Sequence, residues 1–401
     1  MKQAPKPRVL YIVYWGAGEP LGQSLVVPAV KKLAGLGAEL TLVTFEKPSD
    51  LENTDYMAAI RADLARAGVQ WVPLRYHKSP KIPATLFDFA QGTARSIALR
   101  LGRRFDIVHA RTFVGGLMGM ALAPLLRARF IYHNEGFYPD EQVDGGVWRC
   151  NSAPHRVARF LEQRMYSRAD GIIAISDRGR EQIEQIPEVK RRSTPVIVVP
   201  SCVDLEVFRR DSAPSADNGL RLVHSGSVGG RYLLDRVGRF VAVASQKTAG
   251  VRLMVLTKAE RGLVSKMLAD GGMTESMWSM ESVPYQSMPD RLARAQAGLS
   301  FRTRGISEHG CSPTKVGEYW AMGLPVITTP NISDTDDIIE RERVGVIVRG
   351  HSDADYERAI DELLVLLKDP DLGRRCRQAA EGHYALDPAC ERQYALYSQL
   401  I

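Results

Sequence analysis

Short apolar runs separated by amphipathic stretches dominate the first half of the chain. "RVLYIVYW" (8–15), "FDIVHA" (105–110), "ARFIYHNEG" (128–136) and "DGIIAIS" (170–176) are β-branched and aromatic runs of strand length. Between them lie segments of helical period, among them "SLVVPAVKKLAGLG", from Ser24 to a glycine stop, and "HRVARFLEQRMYSR" (155–168). "AELTLVTFE" follows the first of these as a further strand. Buried strands alternating with helices predict a parallel sheet covered on both faces. At 193–212 a strand ends in a Pro/Ser turn, and the polar "APSADNG" after it predicts a linker.

A second series follows. "LRLVHSGSVGG" reads as strand then glycine loop, and "VRLMVLT", "AGLSFRT", "LPVITT" and "VGVIVR" as strands, before a helix-rich segment at 353–399. The pattern predicts an α/β protein of two Rossmann-like domains with a cleft between them. Their expected bounds are 1–198 and 199–385, with the last helix (386–401) packing back on the first domain. In such sheets ligands sit beyond the C-terminal ends of the strands, at loops and helix N-termini.

Composition narrows this picture. The 401 residues suit two domains, and 45% hydrophobic with 25% charged residues is ordinary for a globular protein. The most apolar window, "FVGGLMGMALAPLL" (113–126), holds Pro124 and stops at Arg127, so it predicts a buried helix and no membrane span. The N-terminal apolar run is short and enters a glycine-rich turn, which predicts a first strand rather than a signal peptide. Five scattered cysteines without a CxxC predict thiols in a reducing compartment, hence a cytoplasmic protein. No metal motif is present; "YHNEG" (132–136) lacks a second histidine at helical spacing.

Charge is uneven. Residues 1–200 hold 28 Lys and Arg against 19 Asp and Glu, whereas 201–401 hold 25 against 27. A basic first half suits an acidic partner such as phosphorylated lipid, a membrane surface or nucleic acid, and a solvated basic face fits as well. "TARSIALRLGRRF" (93–105) places Ile97, Leu101 and Phe105 at helical spacing beside Arg95, Arg100, Arg103 and Arg104. That pattern fits docking on an anionic membrane or an ordinary packed helix with a basic outer face.

Both halves open with strand, glycine loop and helix, at 8–24 and 220–237, yet neither loop is a dinucleotide fingerprint or a P-loop. The chemistry concentrates in "CSPTKVGEYWAMGLPVITTP" (311–330). Ser312 is the expected N-cap and Pro313 the first helical residue, so free N–H groups point toward a ligand. Lys315 adds positive charge suited to a diphosphate, and Glu318 shares its face, able to accept two hydrogen bonds from a ribose diol. A plain i,i+3 surface ion pair has the same spacing. Val316, Tyr319 and Gly323 fall on another face and are expected to pack against the sheet. "DTD" (334–336) reads as a helix cap or loop.

"VVPSCVDLEVF" (198–208), "SGSVGGRYLLD" (225–235) and "SPTKVGEYWAMGLPVITTP" (312–330) resemble the donor-domain signatures of the family 4 glycosyltransferases, retaining enzymes of the GT-B fold. "DIVHARTFVGGLMGMAL" (106–122) and "NEGFYPDEQVDGGVW" (134–148) resemble a bacterial branch acting in cell-surface polysaccharide synthesis. The resemblance implies a nucleotide-diphosphate sugar as donor and a glycan or lipid-linked glycan as acceptor. It implies no metal, no cofactor beyond the donor substrate, no nucleic acid, and a cytoplasmic place with peripheral contact at the inner membrane face. Glu318 matches the second glutamate of the family's EX7E motif. The implied donor site comprises Gly226, Ser227, Gly229, Arg231, Val283, Tyr285, Ser312, Thr314, Lys315 and Glu318. His109 matches a histidine facing the donor sugar, so Glu318, Lys315 and His109 are expected to face the cleft. Glu135 is a second group to orient the reacting centre. Gly16, Gly18 and Gly22, with Arg111, are expected to cradle that centre from the acceptor side.

Three departures stand out. The first EX7E glutamate is replaced by Gly310, and Glu308, two residues earlier, is the nearest carboxylate. Arg231 is followed at 236 by Arg, where the family has Lys. Asn134 and Glu135 stand where related sequences carry a Met-Arg pair. An epimerase or hydrolase, or a silent nucleotide-sugar-binding subunit, remains the alternative function.

Overall fold

A computed structural model describes residues 6–210 and 219–401; the linker "APSADNG" lies outside the described residues except for Gly219. The chain divides into two compact units: residues 1–139, 150–200 and 386–401 form one, and 140–149 with 201–385 form the other. The sequence reading placed 140–149 with the first domain. Their contacts are with the second: Asp144 accepts a hydrogen bond from Ser307 N (3.0 Å), and Glu141 pairs with Arg231 (3.2 Å).

The first unit holds a seven-stranded sheet in the order β3-β2-β1-β4-β5-β6-β7. Its strands are β1 (Arg8–Val13), β2 (Glu39–Glu46), β3 (Gln70–Arg75), β4 (Ile107–Arg111), β5 (Arg129–His133), β6 (Gly171–Ala174) and β7 (Val196–Val198). All neighbours pair in parallel. The strand β3 escapes the pattern because it carries Pro73; at the sheet's edge a missing N–H costs no ladder bond. Helices α1 (Val27–Gly35), α2 (Lys81–Leu99), α3 (Phe113–Leu126) and α4 (Ala153–Arg168) cover the sheet. The apolar 113–126 window is α3, and its glycines let it lie close on the strands. A Cβ on Gly119 would fall 2.5 Å from that of Ala110, and one on Gly116 would fall 2.6 Å from the Tyr132 ring. The row expected on one face of 93–105 is split: α2 ends at Leu99, Ile97 and Leu101 are exposed, and Phe105 is buried in the core.

The second unit repeats the design with six parallel strands in the order β10-β9-β8-β11-β12-β13. These are β8 (Arg221–Ser225), β9 (Arg252–Leu256), β10 (Trp278–Glu281), β11 (Ala297–Ser300), β12 (Val326–Thr328) and β13 (Gly345–Ile347). Helix α5 (Thr314–Ala321) packs Val316 and Tyr319 into the core, as the sequence predicts. Gly298 makes room for it; a Cβ there would sit 2.1 Å from the Tyr319 ring. Gly323, at φ +71°, ends the turn after it in the left-handed region that favours glycine.

The last helix, α6 (Leu386–Leu400), belongs to the first unit. Lys32 of α1 pairs with Asp387 (2.5 Å), Arg392 donates to Val198 O (3.1 Å), and Tyr397 is buried. Among the described residues no disulfide forms, and no helix is long and apolar enough to cross a membrane.

Candidate functional site

In the second unit the candidate groups gather at the C-terminal ends of β8 and β11 and the start of α5. Ser312 does not cap the helix. Its Oγ accepts from Ser201 N (3.0 Å), Pro313 takes the cap position with no side-chain bond, and α5 begins at Thr314. The first-turn N–H groups are thus left without a side-chain acceptor. Lys315 is nearly buried, with its Nζ 4.0 Å from the Tyr232 ring centroid and no hydrogen-bond partner. Burial, with Arg302 nearby, drives its pKa well below the usual lysine range, against the pull of Glu318. A Cβ on Gly226 would lie 3.8 Å from that Nζ, so the glycine loop borders the ammonium directly.

Glu318, one turn along, has a carboxylate with no hydrogen bond among the described residues; burial raises its pKa to about 7, opposed by Lys315. Its charge is felt by Tyr285, whose phenol is raised above its ordinary range by burial first and then by Glu318 and Asp204. Tyr285 lies 5.4 Å from the Phe208 ring, and Val283 packs on the same cluster. Lysine, carboxylate and phenol therefore follow one another closely enough for each to act on the next. The loop from Gly226 to Gly230 turns through three positive-φ glycines (Gly226, Gly229, Gly230), and its exit is pinned by Tyr232 bridging to Arg302 and by Thr303 N bonding Arg231 O (2.9 Å). His224 Nε2 meets Ser227 O at 3.0 Å, and burial and Lys315 bring its pKa to about 3, so it holds this loop as a neutral imidazole.

Glu308 is turned inward and is not offered to a ligand. Its oxygens receive Arg302 Nε (2.6 Å), Arg302 Nη2 (3.1 Å) and Arg231 Nη1 (3.4 Å), and it is fully buried. This corrects its reading as a catalytic carboxylate: in place it anchors two arginines. Arg302 escaped the sequence reading, although an arginine directly after the apolar "AGLSF" strand sits where such sheets bind ligands. The "DTD" stretch is a loop staple, with Asp336 accepting from Asn331 N (2.7 Å) and Ile332 N (3.2 Å).

In the first unit the glycine loop's donors are already satisfied. Ala17 N and Gly18 N bond the Glu46 carboxylate (2.7 and 3.1 Å), and Gly16 N bonds Glu19 (3.3 Å). Gly16, Gly18 and Gly22 are expected to cradle the reacting centre from the acceptor side; in the structure the buried Glu46 carboxylate takes the amides of Ala17 and Gly18 in this loop. Glu46 is not among the residues that the sequence motifs single out, though an acidic residue closing an apolar strand is a visible signal. Gly22 serves close packing, since a Cβ there would fall 2.0 Å from Gly16 O, and a π turn (Gly22–Val26) begins at it before α1.

His109 is also corrected. It lies inside the sheet layer, fully buried, stacked on Tyr11 at 4.2 Å, with Nδ1 2.6 Å from Tyr397 Oη and Nε2 3.1 Å from His133 Nδ1. Burial, then Arg111, keeps its pKa well below the usual histidine range. Arg111, two residues on at the end of β4, is the group that meets Glu135, donating from Nε; its Nη1 reaches Leu25 O (3.2 Å). Thr112, next along, holds φ +74°, a strained conformation for a non-glycine residue. Asn134 is structural, donating to Tyr166 Oη (2.7 Å) and accepting from Gly136 N (2.9 Å). Among the described residues no three His, Cys, Asp or Glu converge as metal ligands would.

Two Rossmann-like units, each with β-strands in this parallel order, define the GT-B fold of the glycosyltransferases. Solved structures agree. Sucrose-phosphate synthase from Thermosynechococcus elongatus superposes with a TM-score of 0.69 at 13% identity, over 98% of this chain and 99% of that one. Anabaena HepE in complex with UDP-glucose does so with a TM-score of 0.69 at 14% identity, over 98% and 100%. Residues 26–202 match the glycosyl transferase 4-like domain, so over that stretch the chain is similar to the family 4 glycosyltransferases. D-inositol 3-phosphate glycosyltransferase of Kineococcus radiotolerans is 25% identical over 199 residues, 48% of this chain. That match spans 43% of the curated relative's length.

Proposed function

We propose that the protein transfers a sugar from a nucleoside-diphosphate donor to a hydroxyl of a glycan or lipid-linked acceptor, with retained anomeric configuration, in cell-surface polysaccharide synthesis. The buried, unbonded ammonium of Lys315 beside the open start of α5 carries this reading. Such a group has no structural reason to be left unpaired and every electrostatic reason to meet phosphate oxygens. Glu318 then accepts the ribose hydroxyls, and the backbone near Val283 and Tyr285 receives the base. HepE, of like fold, holds UDP-glucose, which supports a uridine donor.

In the transfer the bond from the anomeric carbon to the diphosphate oxygen breaks, and the diphosphate leaves with the electron pair. The acceptor oxygen bonds to that carbon from the same face, and its proton passes to the departing phosphate. Fixed positive charge from Lys315, the α5 N-terminus and Arg231 stabilises the growing negative charge, so no protein-held metal takes part. Arg111 and Glu135, at strand ends in the first unit, are the acceptor-side groups. A silent nucleotide-sugar-binding subunit is the second reading, favoured by Gly310 at the motif position and by Glu308 being tied into arginine pairs. Titrating UDP, GDP and ADP into wild type and Glu318→Ala tests the proposal. One nucleotide bound by wild type and lost by the variant supports it; none bound overturns it. Binding without turnover on any acceptor moves the silent subunit ahead.

A further inference from the structure

Two cations share one aromatic ring in the second unit. Lys315 Nζ lies 4.0 Å, and the Arg302 guanidinium carbon 4.6 Å, from the Tyr232 ring centroid. Like charges held this near one another repel, and each needs a partner of its own. Arg302 has one, because Glu308 takes hydrogen bonds from its Nε and Nη2. Lys315 has no hydrogen-bond partner, so the ring face is what its ammonium rests on. Of the titratable groups around that ammonium, Glu318 on the same helix attracts it, Arg302 repels it, and His224 on β8 stays neutral. The negative face of an aromatic ring attracts a cation, and most strongly where water is excluded. Lys315 is nearly buried, which is where that attraction counts.

The ring's place is set without any ligand. Tyr232 N donates to Gly229 O (3.1 Å), Leu233 N to Phe301 O (3.1 Å) and Thr303 N to Arg231 O (2.9 Å). These bonds pin the segment to the chain leaving β11, with Tyr232 paired to Arg302 by a single antiparallel bridge. His224 adds an edge contact, its ring centroid 6.2 Å from that of Tyr232 at an interplanar angle of 82°. A platform fixed through its backbone keeps its geometry while the partners of the lysine change. A tyrosine that served packing alone would need no cations over its ring, since apolar side chains fill such space at lower cost.

We propose that Tyr232 is a positioning residue for Lys315. Its ring face holds the ammonium charged and in place beside the open start of α5, so that the phosphates of a nucleotide meet a cation already fixed. On binding, phosphate oxygens take the unused N–H donors of Lys315 while the ring keeps its contact. The inference deepens the proposed function and rests on that reading for the ligand alone. Tyr232 acts through Lys315, and only its ring is needed.

The test keeps the ring's shape and changes its charge. Tyr232→Phe is compared with forms carrying phenylalanine with one, two or three ring fluorines at position 232, fluorine withdrawing charge from the ring face. Titration with UDP is expected to place Tyr232→Phe within about twofold of wild type, and the trifluoro form about tenfold weaker than Tyr232→Phe, with the others between. A second readout needs no nucleotide. The ring favours the charged amine, so each fluorine lowers the Lys315 pKa further, and the rise of stability with pH starts at lower pH. A packing role would move neither quantity along the series. Equal UDP affinity across the fluorinated forms overturns the proposal, and so does a stability profile that stays put. A loss in Tyr232→Phe as large as in the trifluoro form also overturns it, assigning the effect to the hydroxyl. If UDP fails to bind wild type, the donor reading falls, and the stability profile of the ligand-free chain still decides the role of Tyr232.

Discussion

The ammonium of Lys315 rests 4.0 Å from the centroid of the Tyr232 ring and donates no hydrogen bond. The ring face supplies some attraction, yet a buried ammonium with three unused donors is costly. Lys315→Met should therefore leave the protein folded and weaken nucleotide binding by about 2–3 kcal/mol, read by calorimetry. Its lowered pKa adds a second signature. Between that value and the ordinary lysine pKa, the unfolded chain binds more protons than the native one, so stability rises with pH. Thermal unfolding followed as pH rises toward the ordinary lysine range should show this slope in wild type and lose it in the variant.

Glu318 titrates in the opposite sense. A carboxylate raised to about 7 is half-protonated near neutrality, and a diol donates best to the ionised form. Nucleotide binding should release a proton from Glu318, and the affinity should fall as pH drops through about 7 toward about 5.5. Glu318→Gln should bind more weakly and show no such fall. A variant with the wild-type pH profile would remove Glu318 from the ribose contact.

Glu308 stands against Arg302 in a fully buried pair, with Arg231 on the same carboxylate. Glu308→Ala would leave Arg302 charged and unpaired in the core. The expected cost is about 3–5 kcal/mol of stability in urea unfolding. A directly catalytic Glu308 would instead give a stable, inactive protein. Retained stability in Glu308→Ala would argue for the chemical role.

Legibility in the sequence followed the physics of each signal. Strands buried on both faces wrote themselves as apolar runs, and β4, β5, β6 and β8 appear where "FDIVHA", "ARFIYHNEG", "DGIIAIS" and "LRLVHS" stand. The edge strand β3 did not, because proline interrupts its pattern where the fold tolerates it. In the second unit the meeting of Lys315, Glu318 and the glycine loop was readable, since helix spacing and a strand-loop-helix frame fix those distances. The inward turn of Glu308 was not, because it depends on Arg302, six residues away in sequence and presented by a separate strand end. The filling of the first glycine loop by Glu46 is likewise a contact between adjacent strands, invisible to local spacing. His109 was misjudged for a simpler reason: alternation along β4 sends His109 and Arg111 to the same side, and only the second stands at the strand's end.

Gly22 and Glu46 should prove structural. In Gly22→Ala the new methyl carbon would need the space of Gly16 O, 2.0 Å away, so the loop must open. A loss of roughly 2 kcal/mol or more is expected, with nucleotide binding by the second unit kept. Glu46→Ala should do likewise by stranding the N–H groups of Ala17 and Gly18. Unchanged melting with lost transfer would place both residues in the chemistry instead.

His109 makes the last case. Gln393 Nε2 donates to Tyr397 Oη (2.8 Å), so the phenol in turn donates to His109 Nδ1, whose Nε2–H then faces His133 Nδ1. This order leaves the His133 Nε2–H directed at Glu135, 3.5 Å away, and the opposite order would set a lone pair against that carboxylate. Both histidines are held neutral by burial and Arg111, their pKa values well below the ordinary 6.5. Depressed values mean that the unfolded chain takes up protons the native one refuses. Stability is therefore full above about pH 6.5 and falls as pH drops below it. Tyr397→Phe should cost about 1–3 kcal/mol at pH 7.5 by leaving Nδ1 without its donor. His109→Gln should be less stable at pH 7.5 and lose less on acidification, because one of the refusing sites is gone. A histidine acting on the donor sugar would behave otherwise: His109→Gln would melt as wild type at every pH and lose only turnover.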